Sequence, residues 1–187
     1  MALLFPIAAA LVLAVALGGR PGRLAELRLR AIWLFYAAVG LQVVAFPFTF
    51  LPWSTSDATA KTLWLLSYGL LLAAAVANRY ITGVPLVALG MTLNLAAILA
   101  NGFHMPVDPA AMSEAGHGYT VLNNSVADPD PRLGWLIDRW AAPDWVPLAN
   151  VFSIGDVVIA MGSITIVLAA TGTGLSRRAG RLPETPR

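Results

Sequence analysis

Cysteine is absent from this chain of 187 residues. That excludes disulfides, thiolate metal sites and thiol nucleophiles, whatever compartment the protein occupies. Charge is scarce too: Asp, Glu, Lys and Arg together make up 12%, about half their share in an ordinary soluble domain. Apolar residues fill the gap at 58%, and mean hydropathy is +0.71. Lipid rather than water is therefore the expected solvent for most of the chain. The net charge of +2 comes from arginines beside apolar runs, not from a basic domain, so no nucleic-acid partner is expected.

A helix needs about 20 mostly apolar residues to cross about 30 Å of hydrocarbon. Five segments approach that length: residues 2–17, 31–51, 62–78, 84–101 and 150–171. Backbone polar groups in lipid must be bonded within their own segment, so all five read as helices. No Lys or Arg precedes the first run, and Gly18-Gly19-Arg20-Pro21 does not read as a cleavage site, so it is expected to be retained. The expectation is an all-α integral membrane protein. It is a single five-helix membrane domain over residues 1–187, with a cap at 102–149 and an arginine-rich tail at 172–187.

Nine of the twelve basic residues (Arg20, Arg23, Arg28, Arg30, Arg79, Arg177, Arg178, Arg181 and Arg187) fall on one side of that arrangement. The positive-inside rule makes this side cytoplasmic, with the N-terminus outside. Tryptophan rings prefer the headgroup level. Trp53, Trp64, Trp135, Trp140 and Trp145 fall at expected outer boundaries and Trp33 at the inner one. Ala10/Ala14 and Ala73/Ala77 have the spacing of small-residue helix contacts, and Pro47 should kink the second helix. Gln42, Ser67, Tyr68 and Asn94 lie within apolar runs, where they either hydrogen-bond between helices or line a pocket. No internal repeat is evident.

Residues 102–149 hold six of the ten acids, both histidines and six of the thirteen prolines. The prolines forbid one long helix. Asn123-Asn124-Ser125 and Asp128-Pro129-Asp130-Pro131 read as turns, and 133–140 reads as an interfacial helix with Trp135, Leu136 and Trp140 toward the headgroups. Asn123-x-Ser125 is also a glycosylation sequon, a pattern too short to decide anything. His104 and His117 could ligate a metal with Asp108 or Glu114, but their spacing matches no compact ligand motif. Solvated histidines are the plainer reading, and neither metal nor cofactor is expected.

Asp156 is the most informative residue, because a carboxylate about two turns into an expected span is costly. Two readings are open. Ser153-Ile-Gly-Asp156 has capping-box spacing, which would place Asp156 at a positively polarised helix N-terminus. Alternatively, Asp156 shares a proton with Asp138 and activates water. Which of Asp138 and Asp144 lies nearer is open from sequence.

Asn101-Gly-Phe-His-Met-Pro-Val107, followed by Asn150-Val-Phe-Ser-Ile-Gly-Asp156, resembles a family of uncharacterised bacterial membrane proteins, family 5317 among the domains of unknown function. The resemblance implies a five-helix protein of the bacterial cytoplasmic membrane and supplies no activity. Leu133-Gly-Trp-Leu-Ile-Asp138-Arg139 and Phe152-Ser-Ile-Gly-Asp156 are more distantly similar to motifs of lipoprotein signal peptidase, an intramembrane aspartic peptidase. This similarity implies that Asp156 is one member of a catalytic pair. Asp138, eighteen residues earlier, has the spacing of its partner, although it aligns with a different motif position. Ser153 and Trp135 replace asparagines of the motifs. Within these stretches Asn101, His104, Arg139, Asn150 and Ser153 are candidate binding or supporting residues.

Three functions are weighed. The first is a non-catalytic accessory or binding protein, whose partners are the bilayer and other membrane subunits. The second is an aspartic peptidase-like hydrolase acting on a lipid-anchored or peptide substrate through Asp138 and Asp156. A small transporter or channel ranks last, because the inner halves of the apolar runs are almost free of ionisable groups.

Overall fold

The computed structural model describes residues 4–45, 55–115, 125–143 and 151–173. Trp53, Pro47, His117, Asn123, Asn124, Asp144, Trp145, Asn150 and the arginines of the tail lie outside these residues. The long helices are α1 (Leu4–Ala16), α2 (Trp33–Ala45), α3 (Asp57–Ala77), α4 (Val84–Ala100) and, last in the chain, α6 (Ile154–Ala170). A short 3-10 helix, Pro21–Glu26, precedes α2. Between α4 and α6 lie β1 (Met105–Val107), α5 (Pro109–Glu114), β2 (Ser125–Ala127), β3 (Trp140–Ala141) and β4 (Val151–Phe152).

Each expected apolar run overlaps one long helix. Of these, Asp57–Ala77 is long and apolar enough to cross a membrane, and four shorter apolar helices accompany it. Helix α3 starts five residues before the expected 62. The Ser56 hydroxyl accepts the Thr59 amide at 3.2 Å, and Lys61 pairs with Asp57 at 2.9 Å. The polar first turn that hydropathy trims away is thus part of the helix.

In space the helices follow the order α2, α3, α4, α6, α1. Gln42 Nε2 donates to Ser67 Oγ at 3.2 Å between α2 and α3. Tyr68 Oη donates to the Met91 carbonyl at 2.8 Å between α3 and α4. These bonds match the interhelical reading of both residues. Helices α4 and α6 meet through glycine. Gly83 and Gly90 face Gly162 and Gly155, and a β-carbon on Gly162 would stand 2.7 Å from Val87. Ala10 and Ala14 of α1 are buried against Val167 of α6, as their spacing predicted. The Ala73/Ala77 expectation fails by one position. Ala73 is exposed, whereas Ala74 and Ala75 are buried. Away from these seams the helices present large apolar side chains outward, Val12, Tyr36, Leu66, Val76, Leu89 and Met161 among them.

The segment after α4 departs most from expectation. It is not wholly α and turn: β1 pairs parallel with β2, and β3 pairs antiparallel with β4. No helix forms over 133–140. Its backbone is committed elsewhere: Asp138 N–H donates to the Pro106 carbonyl at 3.0 Å, and Arg139 N–H to Phe152 at 3.2 Å. Leu136 does not face headgroups. It is buried with Ala97, Ile98 and Met105 in a cluster that seats the segment on the end of α4. Trp64 packs half-buried against the same cluster, and its ring lies 5.0 Å from that of Tyr68, so it is not a free boundary residue. Trp135 and Trp140 are exposed. The Asp128-Pro129-Asp130 turn forms as expected, closed by Asp130 N–H on Asp128 Oδ1 at 3.0 Å.

Helices α3 and α4 end alike. Asn78 Nδ2 donates to the Ala74 and Arg30 carbonyls at 2.8 and 2.9 Å, and its Oδ1 accepts the Arg30 amide at 2.8 Å. Asn101 Nδ2 donates to the Ala97 and Arg132 carbonyls at 2.7 and 2.9 Å, and its Oδ1 accepts the Arg132 amide at 2.8 Å. Each asparagine thus satisfies orphan carbonyls at a helix C-terminus and also holds a distant peptide unit. The residue after each held arginine, Ala31 or Leu133, has a positive φ of 50° or 54°.

Candidate functional site

The start of α6 gathers the chemistry. Ser153 is the N-cap: its hydroxyl accepts the Asp156 amide at 3.1 Å, and Asp156 Oδ2 accepts the Ser153 amide at 2.9 Å. This is the capping box expected from the Ser-x-x-Asp spacing. It places the carboxylate among unpaired helix N–H groups, where negative charge is stabilised.

The neighbouring helix completes the arrangement. Because Gly90 and Gly155 let α4 and α6 approach closely, Asn94 comes within reach. Its Nδ2 donates to Asp156 Oδ1 at 3.0 Å, and its Oδ1 accepts the Ser153 hydroxyl at 2.8 Å. Ser153 Oγ also lies 2.8 Å from Asp156 Oδ2. Both oxygens of Asp156 are therefore engaged. A methyl at position 155 would overlap the Asn94 amide, so the glycine is a requirement of this site.

Asp138 approaches from the segment after α4. Its N–H and C=O bridge Pro106 and Asp108, in a parallel pairing beside Val107. The residue is 8% exposed, and among the described residues its carboxyl has no hydrogen-bond partner. Burial, and after it the negative charge of Asp156, push its pKa up to about 8. At neutral pH Asp138 is therefore a protonated acid within electrostatic reach of the Asp156 carboxylate. Tyr68 of α3 also lies within electrostatic reach of Asp156.

The structure thus brings together Asp138, Ser153 and Asp156 and adds Asn94. In sequence the asparagine reads only as a polar residue in an apolar run. Nothing in its own sequence neighbourhood points to a partner 62 residues away. Of the other candidates, Asn150 lies outside the described residues, and the rest make no side-chain bond to this cluster. Arg139 is exposed, with its guanidinium 5.6 Å from the Trp140 ring centroid, and that ring stacks on Phe152 at 5.9 Å. Asn101 holds Arg132. His104 is half-buried beside Gly102. Among the described residues no group of three or more His, Asp or Glu could hold a metal ion.

No curated protein and no solved structure matches the chain. Residues 26–168, which take in α2 to α5, all but the last two residues of α6 and the whole polar cluster, match the model described as Family of unknown function (DUF5317), and the chain belongs to that family.

Proposed function

We propose that this chain is a five-span protein of the bacterial cytoplasmic membrane, N-terminus outside, that serves as a non-catalytic accessory or binding subunit through its outer face. Membrane residence is supported by the apolar side chains that the helices turn outward. Only 17% of the most apolar stretch of α3 is buried within the protein. So much exposed apolar surface is a liability in water and is ordinary in lipid. The arginine distribution supports the orientation.

One observation favours a structural and binding role over catalysis: both carboxylate oxygens of Asp156 are taken up by the Ser153 cap and Asn94. The carboxylate thereby serves the helix cap and the α4–α6 contact, roles that require no substrate. Deletion of the gene and complementation with Asp156→Asn and Asp138→Asn is the test. Complementation by both variants at wild-type level is the expected result, and loss of complementation by variants that still fold would reject it. The lack of native cysteine makes orientation directly measurable. A single cysteine at Ser125 should react with an impermeant maleimide in intact cells, and one at Gly22 should not.

A hydrolase is kept as a second reading on one observation. Asp138 holds a proton at neutral pH within electrostatic reach of Asp156, as an acid and base pair requires. It predicts that Asp138→Asn and Asp156→Asn each abolish cleavage of a lipid-anchored peptide while leaving the fold intact.

A further inference from the structure

At the end of the bundle opposite Asp156, a cavity of about 230 Å³ opens between α2, α3, α4 and α6. Its walls include Leu27, Leu29, Phe35, Leu71, Val87 and Ile166, and among the described residues Asn78 is the one polar residue lining it. The void is larger than the roughly 150 Å³ apolar cavity that takes up benzene.

The segment 27–30 builds one wall. Asn78 binds both backbone groups of Arg30, and Tyr80 Oη donates to the Arg28 carbonyl. These bonds hold the segment in place. Leu27 and Leu29 line the cavity, while the alternate residues Arg28 and Arg30 do not line it and are exposed. The Arg30 guanidinium lies over the Tyr80 ring at 4.5 Å. Arg79, also exposed, reaches back to the Val76 carbonyl at 3.1 Å. Among the described residues, Arg28, Arg30 and Arg79 have no acidic partner. An apolar slot thus has exposed, unneutralised arginines next in sequence to three of its lining residues, Leu27, Leu29 and Asn78.

We propose that this slot is a binding site for an anionic phospholipid of the cytoplasmic leaflet, with one acyl chain among Leu27, Leu29, Leu71 and Val87 and the phosphate at Arg28 and Arg79. Charge complementarity decides the occupant: a zwitterionic lipid fills the slot equally well but gains nothing net from these arginines. A helix of another subunit would not use the fixed alternation of leucine and arginine. The site rests on the membrane reading above.

The test is native mass spectrometry of the full chain in neutral detergent, titrated separately with phosphatidylglycerol and phosphatidylcholine. One phosphatidylglycerol should be retained several-fold more tightly than phosphatidylcholine. Arg28→Gln and Arg79→Gln should each cut that preference about fivefold. Leu29→Trp, at a half-exposed position that tolerates bulk, should lower the affinity for both lipids. Equal retention of the two lipids by the wild type, or a preference indifferent to both arginines, would overturn the site while leaving the membrane reading intact. Release of the chain from membranes by alkaline carbonate would instead overturn the membrane reading, and this site with it.

Discussion

Asn101 holds both backbone polar groups of Arg132, donating to its carbonyl at 2.9 Å and accepting from its amide at 2.8 Å. Asn78 does the same to Arg30. The similarity extends into sequence. Both asparagines end an Ala-x-x-Ala-Asn stretch, and both arginines begin an Arg-x-x-Trp-Leu stretch, Arg30 to Leu34 and Arg132 to Leu136. In each, the leucine is buried and the tryptophan exposed. A turn closes from the residue after the arginine, at 2.9 Å for Leu34 on Ala31 and 2.8 Å for Leu136 on Leu133. Since α3 and α4 are successive helices joined by a short turn, the two clamps stand at opposite ends of the bundle. Each presents a tryptophan at its own end.

Replacing either asparagine by alanine should therefore destabilise the protein by a similar amount. The change strands a helix-end carbonyl together with the amide and carbonyl of an arginine, and a buried polar group left unpaired costs about 1–3 kcal/mol. Thermal unfolding in detergent should show comparable drops for Asn78→Ala and Asn101→Ala. Asp at either position should not rescue, since a carboxylate cannot donate. A large drop for one and none for the other would show that the resemblance between the clamps is only geometric.

The clamps also mark where sequence reasoning reaches its limit. Hydropathy located the five long helices, and Ser-x-x-Asp located the α6 cap, because both signals lie within a few residues of each other. The partners of Asn78 and Asn101 are 48 and 31 residues distant, and only the pairing of two short repeated patterns could have linked them. The interfacial helix over 133–140 failed for a related reason. Local propensity allowed it, but the backbone of Asp138 and Arg139 is bonded to strands on either side. The role of Asn94 depends on glycines on two helices, whose significance appears only once α4 and α6 are seen in contact.

Those glycines make opposite predictions according to position. Gly155→Ala should disrupt the α4–α6 seam, since the new methyl overlaps the Asn94 amide and overpacking typically costs about 1–3 kcal/mol. Gly40 and Gly69, also within helices, have nothing within 4 Å of an added β-carbon. Alanine there should stabilise by up to about 1 kcal/mol through helix propensity. Melting temperatures of the three variants in one detergent check this. A neutral Gly155→Ala would mean that the seam is looser than the distances imply.

The cap can be separated from the interhelical bond. Ser153→Ala removes the N-cap acceptor and should cost about 1 kcal/mol. Asn94→Ala leaves the cap and removes the interhelical donor to Asp156, and should cost at least as much because the site is buried. In a double-mutant cycle the two should be non-additive, as the Ser153 hydroxyl and Asn94 bond each other at 2.8 Å. Simple additivity would show that the two residues act independently on Asp156.

Asp138 sets the pH dependence. Its pKa rises from 3.8 to about 8 in the folded protein, through burial first and the charge of Asp156 second. Between these values the folded state keeps a proton that the unfolded state releases, so stability should fall as pH rises across that window and level off above about pH 8. This is opposite in sign to an ion-paired carboxylate, whose stabilisation is lost on acidification. Asp138→Asn carries no titrating proton. It should flatten the curve between pH 5 and 9 and make the variant more stable than wild type at pH 9. Thermal unfolding at a series of pH values measures both effects. A wild-type midpoint that stays constant from pH 5 to 9 would show that Asp138 ionises freely, and with it the proton-bearing partner that the hydrolase reading requires would be lost.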